Sequence, residues 1–297
     1  WITATNFSFI NRAYDVECDV LGNLYVRGGQ GTPWQFKKYN SAGVLQWTYS
    51  APGTWLAPYG DITVDANSGN SYINEAVNSI SGARMRKVDN LGVQMAAFAG
   101  NLLIMEMFRI EFDYCNNLLV IGGGGTNNTN QACTIDINLT AGSLNPVNVL
   151  GAPLGDHFHD MALLALDNNG KAYMATAQKG GCTDPNYNNV MLSVPLPSLA
   201  PTAYQVSDGH TFCEQASASY APQANGFNGM AATPTMLFTY DGQMLKSWNP
   251  ATGAFIAQVN TGGTVSTSGG LDIAANDCSI YAGVGSSIKQ YNGSTLA

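Results

Sequence analysis

An all-β, six-bladed β-propeller with four-stranded antiparallel blades is the fold this sequence predicts, and three observations predict it. One turn-and-strand pattern recurs along the 297 residues at intervals of roughly 40 to 65, the spacing of propeller blades. The connections are polar and tight: the chain holds 33 Gly, only 11% charged residues, and Asn, Ser and Thr crowded between short apolar runs. Hydrophobic residues still make up 45%, ample for a core.

The pattern is D-x-x-G-N-x-Y-V, first met from Asp19 to Val26. Asp65 to Ile73 repeats it with one inserted residue, and Asp113 to Val120 and Asp167 to Met174 repeat it again. Gly229 to Phe238 keeps the flanking strands around a shortened turn, and Asn276 to Tyr281 is a degenerate copy. In each full copy the Asp opens the turn by accepting backbone N–H groups two residues on, while Gly or Asn supplies a positive φ. Alternating apolar residues on either side make two antiparallel strands. A third strand follows, as at Phe36 to Tyr39, Met85 to Val88, Leu245 to Trp248 and Ile288 to Tyr291. A second turn, such as Asn40 to Gly43, Asp89 to Gly92 or Asn249 to Gly253, leads to a fourth strand, as at Val44 to Tyr49 and Ala254 to Val259.

The expected organisation is therefore one domain, 1–297, with blades over approximately 11–50, 58–100, 107–150, 158–206, 226–260 and 269–297. The sixth blade ends before its fourth strand, and the N-terminal stretch 3–10 supplies it and closes the ring, which leaves only short, protected edges. A parallel solenoid would have shorter repeats and no hairpin turns.

Charge narrows the function classes. The net charge is −8 and the pI near 4.6, with all five arginines at or before Arg109, so no basic stripe exists to neutralise nucleic-acid phosphates. No apolar run is long enough to span a membrane. The chain opens on Trp1 without a leader pattern, as a processed or excised segment would. Six cysteines without a C-x-x-C pair, and sequons at Asn6, Asn127, Asn138 and Asn292, fit an oxidising exterior and a secreted, cell-surface location.

Three candidate sites follow from the repeat. The position entering the first strand is aromatic in five blades, Tyr14, Tyr59, Phe108, Phe158 and Phe227, with Gly269-Gly270 in the sixth and Trp55 just upstream of Tyr59. These rings either form a stacking mouth for sugars or peptide side chains or wedge between blades as core. Four and two residues before the turn Asp, the first strands carry Asp15 and Glu17, Asp61 and Thr63, and Arg109 and Glu111, with Asp272 in the last blade. If that face looks into the channel, its carboxylates suit Ca²⁺ or another divalent cation; otherwise it is a hydrated channel in which Arg109 bridges acids. Third, Asp156-His157-Phe158-His159-Asp160 places two imidazoles on one side of an extended segment, as two ligands of one metal, with His210 the third ligand to test. No cofactor is firmly implied.

Ring position also constrains the cysteines. Cys182 and Cys213 lie in the two long loops of the fourth blade's rim and can bridge; Cys18 and Cys278, in adjacent blades, form a possible closure bridge. Cys115 and Cys133 are expected free and buried. A sialidase-like site lacks its arginine cluster, and no G-x-S-x-G elbow occurs.

The stretches CDVLGNLYV (from Cys18), DYCNNLLVIGGGG (from Asp113), GFNGM (from Gly226), LFTYDGQMLKSWNPATG (from Leu237) and IYAGVGSSIKQYN (from Ile280) resemble propeller modules of large secreted Bacteroidota surface proteins, of the gliding-associated, type 9 secretion cargo kind. The resemblance implies a surface adhesion or assembly component and carries no catalytic residues over. The expected function is a non-catalytic binding or structural module whose partner is a protein or glycan surface ligand. The alternatives are a lactonase-like hydrolase with a divalent cation in the channel and a subunit docking onto a larger secretion or filament complex.

Overall fold

Each repeat is organised by one polar side chain at its first turn. In blade one the Asp19 carboxylate accepts hydrogen bonds from Leu21 N–H and Asn23 N–H, both at 3.0 Å, and from Asn23 Nδ2 at 2.7 Å. Asp65, Asp113 and Asp167 hold their turns the same way through the N–H groups of Asn67, Cys115 and Asn169. The chain can reverse this sharply only through a left-handed residue, and Gly22, Gly69, Asn117 and Gly170 supply it at φ of 75°, 73°, 52° and 89°. In blade five Thr233 takes the carboxylate's place, its Oγ1 accepting from Met236 N–H at 3.1 Å. The shortened turn thus keeps a polar organiser in a smaller side chain.

The computed structural model describes residues 13–28, 35–50, 61–75, 83–100, 106–124, 130–136, 146–151, 160–177, 190–200, 202–205, 229–240, 242–264, 273–275, 278–284 and 287–297. Blade one is β1 (Ala13–Cys18), β2 (Leu24–Gly28), β3 (Gln35–Tyr39) and β4 (Leu45–Ser50). Blade two is β5 (Ile62–Val64), β6 (Ser71–Glu75), β7 (Ala83–Val88) and β8 (Gln94–Gly100). Blade three is β9 (Glu106–Asp113), β10 (Leu118–Gly124), β11 (Asn130–Asp136) and β12 (Pro146–Gly151); blade four is β13 (Asp160–Leu166), β14 (Lys171–Ala177), β15 (Val190–Pro195) and β16 (Thr202–Gln205). Blade five is β17 (Gly229–Ala232), β18 (Leu237–Tyr240), β19 (Met244–Trp248) and β20 (Phe255–Asn260), and blade six is β21 (Ile273–Ala275), β22 (Ser279–Val284) and β23 (Ser287–Asn292). Strands pair antiparallel with their neighbours in sequence, and one extra rung, Gly124 opposite Asp160, joins blades three and four. The stretch 3–10, expected to complete blade six, lies outside the described residues.

The first strands stand side by side in the order β1, β5, β9, β13, β17, β21. The molecule is a six-bladed β-propeller, as the repeat predicts. Outer strands β4 and β20 alternate between partly covered and exposed, whereas β18 and most of β2, β3 and β19 are buried. The middle strands are covered on both faces because the core lies between blades. Tyr25 and Phe36 of blade one pack on Ile62, Val64 and Ile73 of blade two. Ala165 and Tyr173 of blade four pack on Met230, Leu237 and Trp248 of blade five, and Phe238 and Leu245 of blade five pack on Ile280 and Ala282 of blade six. No helix among the described residues is long and apolar enough to cross a membrane.

The repeated Tyr of the motif closes onto the turn Asp. Tyr25 donates to Asp19 at 3.1 Å. Burial, then the Asp167 carboxylate it bonds, push Tyr173 up to about 12, and Tyr25 is raised by burial and Asp19 in the same way. Both phenols therefore stay protonated as buried donors.

Candidate binding site at the channel mouth

Six residues at one offset surround the axis. Two places before the first-turn residue stand Glu17, Thr63, Glu111, Ala165, Ala231 and Ala274, one from each blade, and all six line a single cavity of about 440 Å³. Their neighbours along the strands, including Val16, Phe112, Met230 and Ile273, complete the wall, and the turn residues Tyr114 and Asn168 stand at its edge. The cavity thus lies at the turn end of the first strands, opposite the rim where the aromatic mouth is expected. Its size is that of a small-molecule site.

Two carboxylates and no Lys, Arg or His occur among its described lining residues. Tyr114 is held rigidly across the blade boundary: its hydroxyl donates to Val64 O at 3.0 Å and accepts from Ala66 N–H at 2.7 Å. Its ring lies 4.5 Å from that of Phe112. Burial raises the Tyr114 phenol; the Ala66 hydrogen bond works the other way, and the fields of Asp65, Glu17 and Glu111 add to the rise. Cys18, also on the wall, is raised by burial and then by the adjacent Glu17 and Asp19, which leaves it a thiol and a poor nucleophile.

The channel acids do not act as one set. Asp15 and Asp61 are buried between blades, each latching the next first strand: Asp15 accepts from Ile62 N–H at 2.9 Å, and Asp61 from Ile110 N–H at 3.1 Å. Arg109 leans back onto Asp61 at 3.4 Å, so the arginine does bridge to an acid. The reading of one carboxylate-lined face is therefore corrected: Asp15 and Asp61 face the neighbouring blade, whereas Glu17 and Glu111 line the cavity. A first strand has no strand partner on its inner side, so its N–H groups need another acceptor, and a short carboxylate from the preceding blade reaches them. Among the described residues no group of three or more His, Cys, Asp or Glu side chains is placed to hold a metal ion. Asp272 lies outside the described residues.

The aromatic ring positions are partly described. Tyr14 and Phe108 fall at the register shifts of β1 and β9, five residues before the turn Asp. The same shift in blade four falls at Ala162, so Phe158 is not the equivalent of Tyr14 and Phe108. Asp160 opens β13 opposite Gly124 and Ala177. Trp55, Tyr59, Phe158, Phe227, Asp156, His157, His159 and His210 lie outside the described residues, as do Cys182 and Cys213.

The closure disulfide is not formed: Cys18, partly covered on the cavity wall, and Cys278 are separate thiols. Their offsets differ, Cys18 standing one before its turn residue and Cys278 two after, on the far side of the reversal. Cys133 is free and buried, its thiol pushed up to about 12 by burial. Cys115 is free but exposed, its Sγ 3.7 Å from Asn168 O, because its turn lies on the open face.

The small residues of blades four to six and Tyr114 are the site residues that reading for reactive side chains passes over. The signal was present: the offset that yields Glu17 and Glu111 yields three alanines in the other blades.

Comparison with known proteins supports the architecture alone. No protein-family model and no curated protein matches the chain. Among solved structures, it resembles a functionally unknown protein from Desulfotomaculum acetoxidans DSM 771, with a TM-score of 0.58 and 15% identity over 87% of this chain and 74% of the other. At that identity the likeness extends to the fold.

Proposed function

We propose that the chain is a non-catalytic binding module of an extracellular bacterial surface protein, and that it takes its ligand at the channel mouth. The observation that carries this reading is the cavity of about 440 Å³ walled by one residue from each blade. Its chemistry favours binding over turnover: Asp15 and Asp61 are engaged in holding blades together, and burial, with Glu17 and Asp19, raises the Cys18 thiol. The hydrolase reading needs acids free to gather around a cation, and the latches draw on two of the five channel acids. The surface location and the kinship with secreted Bacteroidota cargo rest on the composition and on the five resembling stretches.

Methyl NMR of the purified chain against a panel of small amphipathic compounds tests the site. Binders are expected to shift the methyls of Ala165, Ala231 and Ala274 together. A panel in which none does so, or ester or lactone turnover abolished by Glu111→Gln, would overturn the reading. Protease added to intact source cells tests the location, with degradation of the chain expected.

A further inference from the structure

We infer that the channel mouth selects a small organic ammonium, its cationic head set between Glu17 and Glu111 and its apolar body against the alanine wall. The inference rests on the binding reading above and names the ligand class for that site. Two glutamates alone would be a solvated acidic patch. Here they stand on the wall of a cavity of ligand size, facing a half built from Ala165, Ala231 and Ala274. The cavity is thus polar and negative on one side and apolar on the other, with no basic side chain among the described lining residues.

The aromatic corner points the same way. Phe112 and Tyr114 are neighbours in the wall on the Glu111 side, and an ammonium is drawn to ring faces as well as to carboxylates. The Tyr114 hydroxyl is committed to Val64 and Ala66 of blade two, so the ring is positioned before any ligand arrives. Glu17, Glu111 and Tyr114 all line this one cavity. The chain's net charge of −8 adds a long-range field of the same sign, favouring cations and repelling carboxylates and phosphates.

Benzylammonium, benzyl alcohol and benzoate share a ring and differ in charge, so they separate the contributions. Methyl NMR titration of the intact chain is expected to rank them in that order, with benzylammonium at least tenfold tighter than benzyl alcohol and benzoate unbound. Glu17→Gln and Glu111→Gln should each weaken benzylammonium by about tenfold and narrow its lead over benzyl alcohol, with the unchanged methyl spectrum of the ligand-free variant reporting that it is folded. Raising the salt concentration should erode the preference. Equal affinity for benzylammonium and benzyl alcohol, or glutamine variants that bind the cation as well as the parent, would overturn the ammonium inference and leave the binding site standing. If none of the three moves the lining methyls, the binding reading itself fails with it.

Discussion

Two residues before the first turn, blades one to three carry Glu17, Thr63 and Glu111, and blades four to six carry Ala165, Ala231 and Ala274. Four residues before the turn, blades one to three carry Asp15, Asp61 and Arg109, blades four and five carry Leu163 and Gly229, and blade six carries Asp272. One half of the ring is stitched by carboxylates reaching the neighbouring backbone. In the other half, the Trp248 indole, 1% exposed, packs with Ala165 and Tyr173 of blade four, and the Tyr240 hydroxyl of blade five donates to Gly283 O of blade six at 3.0 Å. Between blades three and four, where Arg109 replaces the latching Asp, the Gly124 and Asp160 rung joins the two sheets directly. One propeller architecture is thus held together by different chemistry at different blade boundaries.

The largest expected effect lies in the packed half. Trp248→Ala empties a buried indole site and removes its hydrogen bond to Thr239 Oγ1 at 2.9 Å, and should cost about 4 kcal/mol in urea denaturation. A loss below about 1.5 kcal/mol would show that packing does not limit this half.

In the stitched half, Asp61→Ala leaves Ile110 N–H and Arg109 without that carboxylate and should cost about 3 kcal/mol. Asp61→Asn, which keeps an acceptor, should cost less. Adding Arg109→Leu to Asp61→Ala should recover part of the loss; strict additivity of the two would show that the pair is uncoupled.

Asp19 supplies the pH dependence. Burial raises its carboxyl, but the Asn23 side-chain and backbone hydrogen bonds, with those of Tyr25 and Leu21, outweigh burial and hold it below its ordinary value. A carboxyl depressed on folding stabilises the protein above the unfolded value of about 4, and that contribution is lost as pH falls through the lower folded value. Asp19→Asn should therefore cost about 1 to 2 kcal/mol at pH 7 and flatten the acid limb of the stability profile. An unchanged acid limb would remove Asp19 as its source.

The smallest effect compares two turn glycines. At Gly170, φ is 89° and a Cβ would meet nothing within 4 Å, so Gly170→Ala should cost about 1 kcal/mol from the backbone alone. At Gly69, φ is 73° and the Cβ would come within 2.8 Å of the Tyr25 hydroxyl and 3.0 Å of Asn90, so Gly69→Ala should cost about 2 kcal/mol. Equal losses in thermal melts would mean that the Tyr25 ring moves aside freely.

The blades were legible in sequence because each turn is specified locally. Asp19, Gly22 and Asn23 satisfy one another within five residues, so the repeat declares itself without tertiary information. Blade five was harder to read because Thr233 does the carboxylate's work from a shorter side chain. The aromatic position was misaligned in blade four because a bulge at Ala162, and not the nearest aromatic, sets the register. The acids were seen, but alternation along a strand distinguishes two faces and cannot say which neighbour each one meets.

The amino-acid sequence by itself determined the six turns, the strands between them, the acidic balance and the all-β class, since these depend on contacts a few residues apart. Only the tertiary structure separated Asp15 and Asp61, spent between blades, from Glu17 and Glu111, which line the cavity, and only it brought three alanines opposite those glutamates. The physical reason is closure of the ring: a cavity walled by one residue per blade exists only once strands more than 250 residues apart in sequence, from Glu17 to Ala274, stand around one axis.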